Sequence, residues 1–302
     1  MGTAFLFAGQ GSQAVGMFDA LRGWSGGSEL IDDADAALGF SLSRIVAEGP
    51  VEALRRTAIA QPALLAISVA HARRLTALGL RPEALAGHSL GQTSALVVAG
   101  ALSFEDAVRL VHQRGRMMQE AAPEGQGAMM AIVGLDLEVV EAACAAARPL
   151  GVVAVACHNA PRQIVISGRR EAVAAAADRC DEEGGGVVEL AVSAPFHCEL
   201  LAPMIPAFGR VVDAVPMADP ALPVIDNATA QPLPDAAAAR RSLVEQIVAP
   251  VLFEESLQYL VGMGIDRFVQ CGPGDSLLAF ARRVSRRAEL LTFDAAALDA
   301  TG

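Results

Sequence analysis

The chain contains no lysine, and its 23 basic residues are all arginine. This absence excludes Schiff-base catalysis, the attachment of pyridoxal phosphate and the lysine of a phosphate-binding P-loop. Aromatic residues make up only 4% of the sequence, and the formal net charge is -11. Because nucleic acids are bound through stacked rings and basic surfaces, this composition argues against a nucleic-acid partner.

The cysteines are few and have no paired spacing. Five are present, none of them in a C-x-x-C pair, which predicts reduced, mostly buried thiols and argues against a metal site. The first residues lack the basic segment of a signal peptide, and no uninterrupted apolar run reaches the length of a membrane span. We therefore expect a soluble cytoplasmic protein with neither a metal nor a membrane partner.

The most informative segment that is present is Gly87-His88-Ser89-Leu90-Gly91, a G-x-S-x-G pentapeptide. A short apolar run precedes it, and small and apolar residues suited to a buried helix follow it. Together they predict the strand, sharp turn and helix of a nucleophile elbow, which exposes a serine. A glycine-punctuated loop from Ala8 to Gln13, after a short apolar strand, is suited to bringing backbone amides to the same site.

Between residues 127 and 193 the pattern changes to short strands and two helices. Their order is strand, helix, strand, strand, helix, strand, which is the βαββαβ arrangement of ferredoxin-like units. Such a unit forms a small sheet of its own. We therefore expect an α/β protein with a catalytic body formed by 1–126 and 194–302 and an inserted ferredoxin-like subdomain at 127–193.

A serine nucleophile needs a base, and the chain has five histidines. His88 adjoins Ser89, and neighbouring side chains at a sharp turn point apart; His71 and His112 lie within helical patterns. His197 is the best candidate, because it lies where the inserted segment rejoins the body. The aspartates considered as partners for its imidazole fall within the insert, so a backbone carbonyl is an alternative partner.

Six segments in order along the chain form a larger pattern. They are Phe7 to Gln13, Gln61-Pro62-Ala63, Gly87 to Gly91, Gln113 to Gln119, Pro195-Phe196-His197 and Gly272-Pro273-Gly274. Together they resemble the malonyl-CoA:acyl carrier protein transacylase family. The resemblance implies an α/β-hydrolase-like body with an inserted ferredoxin-like subdomain. It also implies ping-pong transfer of a malonyl group from malonyl-CoA, without a bound cofactor, to an acyl carrier protein of fatty-acid or polyketide synthesis.

The resemblance also assigns catalytic roles. Ser89 becomes the nucleophile and His197 the general base, and the amides of Gln10 and Leu90 form the oxyanion hole. A main-chain carbonyl in the segment Val248-Ala249-Pro250 is expected to orient the imidazole. The missing acidic partner of the histidine is thereby explained.

Further residues are implied to bind the substrate: Arg114, Gln61, Met118, Asn159 and Phe196. Arg114 matches the arginine that pairs with the free carboxylate of the malonyl group. A planar guanidinium suits this task because it gives two parallel, charge-assisted hydrogen bonds. Phe196 is expected to crowd an α-methyl branch and so to favour malonyl over methylmalonyl.

Four positions depart from the family pattern. Gln92 stands where glutamate is usual, Cys157 and Ala249 stand where asparagine is common, and Asp275 replaces a frequent lysine. None of these changes removes a catalytic group. They indicate a divergent member.

The partner is expected to be acidic, as acyl carrier proteins are, and so is this chain. The densest basic group, at helical spacing, consists of Arg282, Arg283, Arg286 and Arg287. We expect these arginines to dock the carrier protein, with a solvated face of a carboxy-terminal helix as the alternative.

Two other functions stay open at this point. One is an acyl hydrolase of the same fold that releases chains from carrier proteins. The other is a non-catalytic subunit that binds carrier proteins. Arg114 argues against a hydrolase of uncharged acyl groups, for which a buried cation is harmful. Intact Ser89 and His197 argue against the non-catalytic subunit.

Overall fold

The computed structural model describes residues 2–21, 23–122, 125–192 and 194–301. Its strands are β1 (Gly2–Phe7), β2 (Ala84–Gly87), β3 (Gly127–Val133), β4 (Val153–Ala160), β5 (Gln163–Arg169), β6 (Gly186–Glu189), β7 (Val224–Ile225), β8 (Val251–Leu252), β9 (Ile265–Cys271) and β10 (Glu289–Thr292). Its α-helices are α1 (Ser25–Leu38), α2 (Leu42–Glu48), α3 (Val51–Arg55), α4 (Thr57–Ala77), α5 (Leu90–Val98), α6 (Phe104–Ala121), α7 (Leu137–Ala147), α8 (Arg170–Glu182), α9 (Ile205–Ala214), α10 (Ala236–Glu245), α11 (Phe253–Gly262), α12 (Ser276–Val284) and α13 (Phe293–Asp299).

The first sheet has the strand order β10-β9-β1-β2-β7, and all its strands run parallel. Its central strand β1 is apolar, and Ala4 to Phe7 are fully buried. Such runs are typical of a parallel strand that helices cover on both faces. The long helix α4 is also buried along most of its length. This sheet and its helices form the α/β body that the sequence predicted.

The carboxyl ends of four adjacent strands meet at one edge of this sheet. In register, Phe7 at the end of β1 pairs with Gly87 at the end of β2, so the loop from Ala8 lies beside the turn at Ser89. Strand β7 pairs with β2 on its other side, and β9 pairs with β1. Open parallel sheets bind ligands at this edge. The topology therefore brings four separate segments of the chain to one place.

The second sheet has the order β6-β3-β5-β4-β8. Its first four strands pair antiparallel and carry α7 and α8 in the chain order βαββαβ. This confirms the predicted ferredoxin-like arrangement. The fifth strand, β8, comes from the body and pairs parallel to β4. The sequence did not predict it, because a strand of only two residues has no detectable period.

We propose that the inserted subdomain spans 127–193, as expected, with 1–126 and 194–302 as the body. A separate apolar core supports this division, since all of its buried members lie between Ala128 and Cys180. The last residue of the proposed insert, Ser193, lies outside the described residues. The imidazole of His158 on β4 also bonds Glu255 on α11 through Nδ1 at 2.7 Å, which ties the insert to the body.

The basic group near the carboxyl end differs from its expected form. Helix α12 ends at Val284, so Arg282 and Arg283 are helical, whereas Arg286 and Arg287 lie in the turn that leads to β10. The expectation of one helical face was wrong for the second pair. All four side chains are exposed.

The five cysteines are buried and free, as predicted. In the described part of the chain, no helix combines the length and the apolar character that crossing a bilayer requires.

Candidate active site

The turn at Ser89 is sharp and sterically constrained. Ser89 has φ 53° and ψ −108°, a conformation that L-residues rarely adopt. A Cβ at Gly87 would lie 1.9 Å from the carbonyl carbon of Gly91, and a Cβ at Gly91 would lie 2.1 Å from the carbonyl oxygen of Phe7. Both contacts are impossible for a side chain. The glycines are therefore required where strand, turn and helix meet, as the G-x-S-x-G pattern predicted.

His197 lies directly against the serine. Its Nε2 is 2.8 Å from Ser89 Oγ, and its Nδ1 is 2.7 Å from the main-chain oxygen of Gln246. A carbonyl oxygen can only accept, so Nδ1 carries the proton and Nε2 presents its lone pair to the serine hydroxyl. The imidazole is thus held in the tautomer that can take a proton from Ser89.

The carbonyl that orients His197 is not the expected one. The expected segment was Val248 to Pro250; the main partner is Gln246, and the backbone of Ala249 contributes less to the pKa of the imidazole. Gln246 caps the carboxyl end of α10, where backbone carbonyls lack partners within the helix. The negative end of the helix dipole at this point stabilises positive charge on the imidazole.

Burial lowers the pKa of His197 to about 3. Loss of hydration is the largest cause, and the positive charge of Arg114 is the next, while the hydrogen bond to Gln246 opposes both. At neutral pH the imidazole is therefore uncharged and able to act as a base.

Arg114 lies beside the same serine. Its Nη2 donates to Ser89 Oγ at 3.2 Å and to Gln246 Oε1 at 2.9 Å, and its Nη1 donates to Gln61 Oε1 at 3.0 Å. The residue is only 2% exposed, and burial lowers its pKa to about 10. It remains a cation at neutral pH. Among the residues that the structure describes, no carboxylate pairs with it.

Gln61 and Met118 support this guanidinium. The amide nitrogen of Gln61 contacts Met118 Sδ at 3.5 Å, which leaves the amide oxygen directed at Arg114. Met118 is completely buried. Both residues thus lie beside Arg114, Gln61 directly and Met118 through Gln61. Their role in binding the substrate stays a prediction.

The expected oxyanion-hole residues lie at two of the adjacent strand ends. Gln10 follows β1, and its side-chain amide donates to Thr57 Oγ1 at 3.1 Å. Leu90 is the first residue of α5, so its N–H has no partner within the helix. Their roles as oxyanion donors stay a prediction.

A cleft of about 450 Å³ opens over the serine. It lies between the body and the inserted sheet, and its lining includes Gln10, Ser89, Cys157, Asn159, Phe196, His197 and Asp275. The Oδ1 of Asn159 is 2.7 Å from Nε2 of His88 and accepts its hydrogen. Burial keeps Cys157 a thiol by raising its pKa to about 12. The predicted substrate-binding residues Asn159 and Phe196 are therefore cleft residues.

The remaining histidines serve other purposes. His71 stacks on Phe293 with ring centroids 3.6 Å apart, and His112 Nδ1 contacts the main-chain oxygen of Ala58 at 2.8 Å. His88 bonds Asn159, as described above. His197 is the histidine that contacts the serine hydroxyl.

Sequence reasoning missed two residues that hold the site, Gln246 and Asn227. Asn227 follows β7, and its Oδ1 accepts the backbone N–H of Ser89 at 2.7 Å, while its Nδ2 donates to the carbonyl of Gly87 at 2.6 Å. The amide of Ser89 is thereby occupied. No spacing along the chain could indicate this contact, because 138 positions separate the two residues.

An α/β body in which a strained serine meets a neutral histidine defines a serine enzyme of the acyl-transfer class. The profile of the acyl transferase domain matches residues 4–291 of the chain. The class that the fold and the site define is therefore also the class that the sequence match gives.

Individual relatives narrow this class. The malonyl CoA-acyl carrier protein transacylase of Bacillus subtilis strain 168 is 42% identical over 287 residues, which cover 94% of this chain and 90% of that protein. The structure of the malonyl CoA-acyl carrier protein transacylase of Coxiella burnetii matches with a TM-score of 0.96 at 40% identity, covering 100% of this chain and 96% of the other.

A malonyl-transacylase solved in complex with its type II polyketide synthase acyl carrier protein matches with a TM-score of 0.93. It is 38% identical, and the match covers 97% of this chain and 95% of the other. The chain thus belongs to the malonyl-CoA:acyl carrier protein transacylase family, which confirms the resemblance seen in the sequence.

The low pKa of His197 gives a testable pH dependence. With the imidazole neutral down to a pKa of about 3, kcat/KM for acylation of Ser89 should stay level as the pH falls from about 7 to about 5. In Arg114→Ala a positive charge beside His197 is lost, so the pKa of the imidazole rises and the acid limb moves to higher pH. Hydrolysis of p-nitrophenyl acetate, a neutral ester, measures both profiles.

The matched control is Arg109→Ala, which removes an exposed arginine that pairs with Asp106. Its profile should superimpose on that of the unmodified protein. Acid limbs at the same pH for the protein and for Arg114→Ala would contradict the electrostatic account of His197.

Proposed function

We propose that this protein transfers a malonyl group from malonyl-CoA to the phosphopantetheine thiol of an acyl carrier protein, with Ser89 as the covalent carrier. The observation that carries the proposal is Arg114, a buried cation beside Ser89 whose described partners are neutral. Such a charge is costly unless an anion joins it. The free carboxylate of a malonyl group is that anion, and the named activity of the relatives agrees.

The residues at the site supply each step of the reaction. Ser89 Oγ attacks the malonyl thioester while its proton passes to Nε2 of His197. The amides of Gln10 and Leu90 stabilise the oxyanion, and loss of one such donor typically costs about 3 kcal/mol of barrier. Coenzyme A leaves as a thiol with the proton from His197. The carrier-protein thiol then repeats the sequence in reverse, so these groups perform the reaction without a bound cofactor.

The acyl group is selected at its two ends. Arg114 sits where a planar guanidinium can form two hydrogen bonds with the terminal carboxylate. Phe196 lines the cleft next to His197, where its ring would crowd a branch at the α-carbon. We therefore propose malonyl as the preferred group over methylmalonyl, a preference worth about 1 to 3 kcal/mol.

We further propose a cytoplasmic location for the reaction. Its support is the state of the cysteines, since all five are free and buried. Persistent free thiols are typical of a reducing compartment.

Radiolabelled malonyl-CoA and acetyl-CoA test the function directly. We expect covalent labelling by malonyl that Ser89→Ala abolishes. In Arg114→Ala, malonyl labelling should fall about 100-fold or more, because a charge-assisted pair is lost, while acetyl labelling holds or rises. Label should then pass to added carrier protein.

Two outcomes would contradict the proposal. Equal acetyl and malonyl labelling of the unmodified protein would remove the assigned substrate. Rapid release of free malonate without carrier protein would favour the hydrolase, in which water takes the place of the thiol.

The four exposed arginines are our proposed docking surface for the carrier protein. Arg282 donates hydrogen bonds to the backbone carbonyls of Arg286 and Ala288, which fixes the turn after α12. Arg283 donates to the backbone carbonyl of Pro161, between β4 and β5. The cleft residues Ser276, Leu277 and Phe280 belong to the same helix. The four arginines therefore lie at the end of the helix that borders the cleft. An acidic carrier protein would have to bind near this cleft to bring its thiol to Ser89.

Charge reversal at Arg286 and Arg287 tests this surface, because their side chains can be changed without removing those carbonyl contacts. The double variant R286E/R287E should raise KM for carrier protein about fivefold or more and leave acylation by malonyl-CoA unchanged. The control R148E/R179E reverses two exposed arginines that do not line the cleft. An unchanged KM in R286E/R287E would favour a merely solvated face.

A further inference from the structure

A chain of buried polar side chains leads away from the nucleophile. Asn227, which holds both sides of the turn at Ser89, donates its own backbone N–H to Gln92 Oε1 at 2.7 Å. Gln92 Nε2 donates to Ser242 Oγ at 2.6 Å. The hydroxyl of Ser242 in turn donates to Asp226 Oδ1. The chain therefore runs from an aspartate through a serine and a glutamine to the residue that fixes the elbow.

None of these groups can exchange its partner for bulk water. Gln92 is 0% exposed, Asn227 1%, Ser242 3% and Asp226 4%. Buried polar atoms without a partner are costly, so each donor in this chain needs an acceptor within it.

The direction of each hydrogen bond is fixed by groups that have one role. A backbone N–H only donates, so the atom of Gln92 next to Asn227 must be its oxygen, and the atom next to Ser242 its nitrogen. At the other end, Asp226 accepts from Thr229 Oγ1 at 2.8 Å as well as from Ser242. The hydroxyl of Ser242 has a single proton, which it donates in its hydrogen bond to Asp226. Its lone pair must therefore be met by a donor, and that donor is Gln92.

We propose that Gln92 is a positioning residue for Ser89, because it is the hydrogen-bond donor that the buried pair Ser242 and Asp226 requires. Gln92 also accepts the backbone N–H of Asn227, whose side chain holds the backbone on both sides of Ser89. The position of Gln92 therefore affects the position of the nucleophile. The inference rests on the proposed role of Ser89 as the nucleophile.

Because the hydroxyl of Ser242 has one proton, the side chains that face it from positions 92 and 226 cannot both be carboxylates. An ionised glutamate at 92 would place an acceptor against the lone pair of Ser242 and bury a second negative charge near Asp226. With an asparagine at 226, the amide nitrogen can donate to Ser242, and Ser242 can then donate to a carboxylate at 92; only the long contact of 3.3 Å with the backbone N–H of Ala228 is lost. The amide at position 92 thus has a physical reason in Ser242 and Asp226.

Four proteins test the match: the unmodified chain, Gln92→Glu, Asp226→Asn and the double variant. Single-turnover acylation by malonyl-CoA should be about tenfold or more slower in Gln92→Glu. It should return to within about threefold of the unmodified rate in the double variant, and Asp226→Asn alone should also stay within about threefold. The malonyl-CoA concentration that gives half the maximal rate should not change, because Arg114 is untouched.

Gln270→Glu is the matched control, since Gln270 is also completely buried and bonds backbone groups of Pro273 and Leu277. Asp226→Asn should not rescue it. Thermal midpoints of all variants are measured alongside. If Gln92→Glu does not fold, recovery of folded, active double variant supports the proposal.

Several results would overturn the inference. They are an unimpaired Gln92→Glu, a double variant that is no better than Gln92→Glu in folding or rate, and equal rescue of Gln270→Glu. A failure of the proposed function gives a different result, because the unmodified protein then takes up no malonyl label. In that case the thermal midpoints of the four proteins still show whether Asp226→Asn restores the stability that Gln92→Glu loses.

Discussion

The guanidinium of Arg114 is a permanent charge that is almost completely buried, and the rest of the site is arranged around it. Its neighbours, Gln61, Gln246 and Ser89, offer only neutral oxygens. These hydrogen bonds keep the cation in place but leave its charge unbalanced. Burial and, after it, the charge of Arg114 lower the pKa of His197, so the cation helps to keep this imidazole neutral. On our proposal, an incoming carboxylate balances the charge and at the same time places its thioester beside Ser89.

Gln246 contacts both the imidazole of His197 and the guanidinium of Arg114. Its main-chain oxygen orients the imidazole of His197, and its side-chain oxygen holds Arg114. It can do both because it caps α10, where a carbonyl is free of the helix ladder. An acidic triad member is unnecessary here: the helix end supplies partial negative charge without placing a full carboxylate near Arg114, with which the substrate would have to compete.

The sequence predicted the parts of the site that local patterns can encode. A Cβ at Gly87 or Gly91 would make a contact shorter than 2.2 Å, so a short motif of neighbouring residues is enough to predict the elbow. Ser89, His197 and Arg114 each lie in a recognisable sequence segment. The βαββαβ order followed from the alternation of apolar runs. Gln246, Asn227 and β8 could not be found in this way. Gln246 acts through its backbone carbonyl, which every residue type has, and Asn227 contacts a segment that is far away along the chain. The second arginine pair was misplaced for another reason: the helical spacing continues to Arg286 and Arg287, but α12 ends at Val284.

The central claim is that Arg114 receives the carboxylate of the acyl group held on Ser89. A crystal structure of the protein after reaction with malonyl-CoA, with the malonyl ester trapped on Ser89, tests it most directly. The account predicts that both carboxylate oxygens lie within about 3 Å of the guanidinium nitrogens and displace the contact between Arg114 and Ser89 Oγ. A malonyl carboxylate that instead extends into the cleft away from Arg114, with Arg114 still bonded to its present partners, would contradict it.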